Sequence, residues 1–172
     1  KRRQGGHKMK LELRFLTTTT TTKANELRGI AVPYGQLSHP IQGVGRSFRE
    51  KMKPGALSYD DNTVLMTQHD QTGVPLARVG AGTLAFNETK DGLEFTATLP
   101  EARADIREAL ERGDLSGAVS IGFYIEDGGD RWTHTKSQSM REVTQGHLSE
   151  ISLVIAGAYS GARATYGGKT NV

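Results

Sequence analysis

GTLAFNETKDGLEFTATLP, residues 82–100, sets the fold class. Two arms, 83–86 and 93–99, flank residues 87–92, and the Asp91-Gly92 pair within them is a hairpin turn signal. In the second arm Leu93, Phe95, Ala97 and Leu99 alternate with Glu94, Thr96 and Thr98, the two-residue period of a half-buried strand. Pro100 closes the arm, because its missing N–H cannot extend a ladder.

The pattern continues in both directions. After the hairpin, Ala102, Ile106, Ala109 and Leu110 fall on one face of a helix, and Gly113 is its natural stop. A strand follows over 119–125, with Val119, Ile121, Phe123 and Ile125 on one face and Ser120, Gly122 and Tyr124 on the other. Residues 126–130 (EDGGD) form a turn, and the polar stretch 131–147 reads as a long, mobile hairpin. The last strong strand is 148–156, LSEISLVIA. Before the hairpin, 73–82 is irregular, Val64–Thr67 is a brief apolar strand ending at Gln68-His69-Asp70, and Pro54-Gly55 marks a turn. Residues 36–47 read as loop, and 26–34 as a strand stopped by Pro33 and Gly35. Leu11, Leu13 and Phe15 alternate with charged neighbours, and Thr17–Thr22 either prolongs that strand or forms a linker. The sum is a mostly β chain with flanking helices (α+β), whose short strands suit a small barrel or packed sheets.

The 172 residues form one domain with tails: an arm over 1–22, the body over 23–160 and a tail over 161–172. The absence of cysteine excludes a disulfide scaffold, a thiolate zinc site, an iron–sulfur cluster and a cysteine nucleophile. No apolar run reaches the roughly 18–20 residues of a membrane-spanning helix, so no membrane partner is expected. Lys1, Arg2, Arg3, Lys8 and Lys10 more than account for the net charge of +3. The body is therefore near neutral, without the basic stripe of a nucleic-acid binder. The five histidines (His7, His39, His69, His134 and His147) include no HExxH and no helical pair, so no metal is expected. GVGRSF, 43–48, lacks the lysine and following helix of a phosphate cradle, and no cofactor is expected.

Serine chemistry remains, needing a hydroxyl, a base and a group that orients the base. His69 stands where an apolar strand breaks into a polar loop; a surface imidazole bonded to Asp70 is the plainer reading of the same position. Ser120 lies mid-strand beside Gly122, which leaves room for a substrate backbone, but a small sheet serine explains it as well. Glu150 interrupts an apolar strand, where a carboxylate must find a partner or face water.

Six segments, in order, resemble the prohead maturation proteases of tailed bacteriophages, serine peptidases that process capsid precursors. They are LRGIAVPYG (27–35), FREKMKPGAL (48–57), QHD (68–70), GTLAFNETKDGLEFTATLP (82–100), RGDLSGAVSIGF (112–123) and LSEISLVIAGAY (148–159). The resemblance implies a fold similar to herpesvirus assemblin, a small β-barrel with surrounding helices. It implies His69 as general base, Ser120 as nucleophile and Glu150 as acidic member. His147 is the alternate third member, since the viral relative uses a second histidine, and Ser116 is the rival nucleophile. Arg112 and Arg141 are side chains considered for the oxyanion. Implied partners are the major capsid protein precursor with its scaffold region, the protease itself by self-cleavage at its tails, and a second copy in a dimer or higher assembly. Such an enzyme would be packaged inside the procapsid in the host cytoplasm. The alternative is a non-catalytic assembly component with the same fold. Gly157 stands where the family often has proline, and neither the threonine run nor 131–147 is a family signature.

Overall fold

The computed structural model describes residues 12–19, 25–43 and 46–155. In chain order the strands are β1 (Glu12–Thr19), β2 (Glu26–Pro33), β3 (Ile41–Gln42), β4 (Ser47–Met52), β5 (Leu57–Ser58), β6 (Val64–Thr67), β7 (Ala77–Arg78), β8 (Leu84–Glu88), β9 (Gly92–Thr98), β10 (Ala118–Ile125), β11 (Asp130–His134), β12 (Ser139–Val143) and β13 (Gly146–Val154). One helix, α1 (Ala104–Arg112), separates β9 from β10, and a 3-10 turn, Val79–Ala81, follows β7.

The hairpin forms, although Asp91 and Gly92 do not take the positive φ of the expected turn and Gly92 opens β9: β8 and β9 pair antiparallel from Leu84↔Ala97 to Glu88↔Leu93. The larger sheet has the order β7-β6-β13-β10-β1-β2-β9-β8, with β5 also on β13. The smaller sheet has the order β11-β12-β4-β3. The larger path does not return on itself, so the expected barrel is not closed. One cause is local. β7 supplies two residues before the chain enters the 3-10 turn and Gly82 at φ 68°, too short an edge to carry the ladder onward. The plural helices of the sequence reading reduce to α1 among the described residues. It buries Ile106 and Leu110 and ends at Gly113, φ 82°, a left-handed position that glycine adopts without a Cβ clash.

The polar stretch read as a mobile hairpin is β11 and β12, and β12 docks parallel on β4 from Ser139↔Phe48 to Val143↔Met52. That docking buries Ser139, Arg141 and Val143, the alternate residues of β12. The strand read over 10–15 extends into the threonine run, with Thr17, Thr18 and Thr19 inside β1. Thr20–Thr22, most of the arm, Gly157 and the tail lie outside the described residues.

β10 and β13 form the centre. Val119, Ile121 and Phe123 join Leu65, Phe95, Leu148, Ile151 and Leu153 in one core, each burial contributing about 1.5–3 kcal/mol for a large apolar side chain. The β10–β13 register shifts between Gly122 and Phe123: Gly122 opposes Glu150 but Phe123 opposes Leu148. Ser149 is the extra residue of this bulge, and the bulge inverts which face β13 presents. Leu148 therefore joins Phe123 in the core, while Glu150 emerges on the face of Ser120 and Gly122.

Candidate active site

Ser120 lies opposite Ser152, and Gly122 opposite Glu150, so all four residues share one face at the centre of the larger sheet. Gly122 contributes no side chain to this face. Ser120, Glu150 and Ser152 are each at most 1% exposed.

The histidine arrives from the other side of β13. β6 runs parallel to β13, with Ser152 beside Met66 and Leu153 beside Thr67. The Gln68 N–H adds one more rung to Leu153 O at 2.9 Å, and then the chain reverses, the Asp70 N–H donating to Thr67 O at 2.9 Å. The two central residues of this turn, Gln68 and His69, have φ of 52° and 58°. Positive φ at both central positions is the type I′ arrangement, usually taken by glycine, asparagine or aspartate. For side chains such as these it costs about 1–2 kcal/mol per residue. The strain turns the imidazole back over β13 instead of out along the strand.

There the His69 Nδ1 meets Glu150 Oε1 at 2.5 Å. A carboxylate accepts, so Nδ1 is the donor in this bond, and in a neutral ring Nε2 is then the acceptor. Nε2 is shielded from solvent. The second carboxylate oxygen, Oε2, accepts the Ser152 hydroxyl at 2.6 Å, and Ser152 Oγ in turn accepts the His69 backbone N–H at 3.2 Å. Ser120 Oγ, across the strand pair from Ser152, is buried with no hydrogen-bond partner among the described residues. Orphaning a hydroxyl in this way costs about 1–3 kcal/mol, which structure alone does not repay.

The loop beyond the histidine is fixed by Asp70, whose Oδ1 accepts the Thr72 N–H at 2.9 Å and the Thr72 hydroxyl at 2.6 Å. Those donors, the hydroxyl foremost, hold the Asp70 carboxyl below its ordinary value.

The structure thus joins His69 to Glu150 and puts Ser120 on the same face. Asp70, the partner that a surface reading gives to His69, bonds Thr72 instead. His147 is taken up elsewhere, with Nδ1 at 3.2 Å from Ser58 Oγ and Nε2 at 3.7 Å from Asp60 Oδ2. Ser116 Oγ accepts the Ala118 N–H at 3.2 Å in the turn before β10. Arg112 pairs with Glu108 and Asp114 at the exposed end of α1, and Arg141 is buried in the smaller sheet against Glu50 and Asp130. Ser152 escaped the sequence reading. Its signal was present: two residues beyond Glu150 on a strand, a polar side chain must share the carboxylate's face.

Residues 10–170 match the family described as caudovirus prohead serine protease. No curated protein and no solved structure matches the chain.

Proposed function

The chain belongs to the caudovirus prohead serine proteases, enzymes of capsid maturation, and on that premise we propose that it cleaves the capsid precursor with Ser120, His69 and Glu150 as its working groups. The observation that carries the assignment is the His69–Glu150 bond on the face where Ser120 holds an uncommitted, buried hydroxyl. His69 Nε2 takes the Ser120 proton as Oγ attacks the scissile carbonyl carbon. Glu150 fixes the tautomer and balances the imidazolium that forms. The tetrahedral intermediate collapses as Nε2–H delivers that proton to the departing amine, leaving an ester on Ser120. Water, deprotonated by the same nitrogen, then releases the acid and restores the hydroxyl. The substrates we assign are the scaffold region of the major capsid precursor and the chain's own tails. Enclosure in the procapsid would supply the encounter by local concentration, so tight substrate binding is not required.

The test is incubation of the purified chain with its capsid precursor. Ser120→Ala is expected to fold and to lose cleavage by about 10⁴-fold or more, while Ser116→Ala keeps it. Cleavage that persists in Ser120→Ala and disappears in Ser116→Ala would move the nucleophile. Unchanged cleavage in Ser120→Ala, His69→Ala and Glu150→Ala alike would overturn the triad, and no cleavage by the wild-type chain would leave the non-catalytic assembly role in its place.

A further inference from the structure

We infer that Ser152 is a positioning residue of the active site, a single hydroxyl that sets the geometry of acid and base together. The inference deepens the proposed triad and rests on it. Ser152 is fully buried on the site face, opposite Ser120. Its proton goes to Glu150 Oε2 at 2.6 Å, and its lone pair receives the His69 backbone N–H at 3.2 Å. Glu150 has two oxygens and divides them: one holds the imidazole, the other is held by Ser152. A carboxylate clamped at one oxygen cannot rotate freely about its last torsion, so the oxygen facing Nδ1 stays in place.

The second contact acts on the base from behind. His69 sits in a left-handed turn, φ 58°, which it would leave readily if nothing received its N–H. Ser152 Oγ is that receiver, so one side chain ties the backbone of the base to the side chain of the acid. Neither contact touches a substrate, and Ser152 is not itself the nucleophile in this scheme, because its proton is committed to the carboxylate.

The consequence is a specific kinetic signature. Loss of the hydroxyl loosens geometry in the chemical step, not substrate binding. Ser152→Ala is expected to lower kcat about 10- to 100-fold while KM moves less than about threefold. Ser152→Thr, which keeps the hydroxyl, is expected to recover most of kcat. The Nδ1–H resonance of His69, followed by NMR with isotope-labelled histidine, should remain sharp in the threonine variant. In the alanine variant it should broaden by exchange with solvent. A serine-directed phosphonylating probe should mark Ser120 in every variant that retains this serine, and more slowly in Ser152→Ala. Should the alanine variant not fold, Ser152→Cys, with similar volume and a weaker donor, gives the same reading.

The outcomes separate the two claims. If Ser120→Ala is inactive while Ser152→Ala keeps full kcat and a sharp resonance, the positioning role falls and the triad stands. If Ser152→Ala only lowers the melting temperature, with kcat per folded molecule intact, the role is structural and the inference falls. If the probe marks Ser152 and cleavage survives Ser120→Ala, both the inference and the triad fall.

Discussion

Gln68 and His69 carry the most informative backbone of the chain. Both hold positive φ although neither is glycine, and the His69 ring meets the Glu150 carboxylate from that turn. Gln68 is exposed, so its strain serves the turn and nothing else. Gln68→Gly is therefore expected to be neutral or to stabilise by up to about 1 kcal/mol, whereas Gln68→Val destabilises by about 1–2 kcal/mol, measured by urea unfolding. Asp70 adds a pH dependence to the same loop. Its carboxyl lies below the ordinary 3.8 because Thr72 donates to the ionised form. A carboxyl lowered by folding stabilises the folded state above the ordinary value, and that contribution fades as pH falls through the lowered one. The stability lost in Asp70→Asn should accordingly be visible at neutral pH and shrink toward zero on acidification below about 4, where wild type and variant converge.

At the scale of elements, the bulge at Ser149 decides whether the site exists. It allows Leu148 to face the core and Glu150, two residues on, to face Ser120. Deletion of Ser149 would force one of these across the sheet, and a carboxylate driven unpaired into the apolar core costs about 3–5 kcal/mol. We expect the deletion to lose both cleavage and cooperative unfolding at the wild-type midpoint, while Ser149→Ala, which keeps the extra residue, changes either little. The same bulge marks the limit of what the sequence discloses. Alternation identified the second arm of the β8–β9 hairpin, and a short apolar run identified Val64–Thr67; each pairs without irregularity there. It also singled out Glu150 as an anomaly, but an unbroken two-residue period would set Leu148 and Glu150 on one face. Nor does the period show that Gln68 and His69 reverse the chain, since glutamine and histidine carry no turn signal. The parallel docking of β12 on β4 was hidden for another reason. Strand partners distant in sequence are chosen by packing, and in the polar 131–147 segment Ser139 and Arg141 share the buried face of β12 with Val143, so apolar alternation does not mark it.

Across the whole molecule, the smaller sheet is joined to the larger through the shared core, which takes in Met52 and Val143, and through a few backbone contacts. Tyr34 bridges Met52 and the Gly35 N–H reaches Met52 O at 3.0 Å; in the loop that leaves β4, Ala56 O accepts the Gly146 N–H at 2.8 Å. The last of these starts β13, the strand that carries Glu150 and Ser152. Inside the smaller sheet, Arg141 Nη1 donates to fully buried Glu50 at 3.2 Å, and its Nε donates to Asp130 at 2.8 Å. The guanidinium lies 5.4 Å from the Trp132 ring centre, and Phe48 meets that ring edge-on at 4.9 Å. The charges thus tie β4, β11 and β12 together. Glu50→Ala takes away one buried counter-charge of Arg141 and leaves Asp130 as another, so it should cost about 1.5–3 kcal/mol, the range of a hydrogen bond to a charged group. Replacing both, Glu50→Leu with Arg141→Met, restores volume without charge and should recover most of that loss. If the sheet is a support for β13 and not a source of oxyanion donors, the folded double variant will cleave the capsid precursor at the wild-type rate. A hundredfold lower kcat in a double variant of wild-type melting temperature would instead assign Arg141 to the reacting carbonyl, against the ion pairs that hold it.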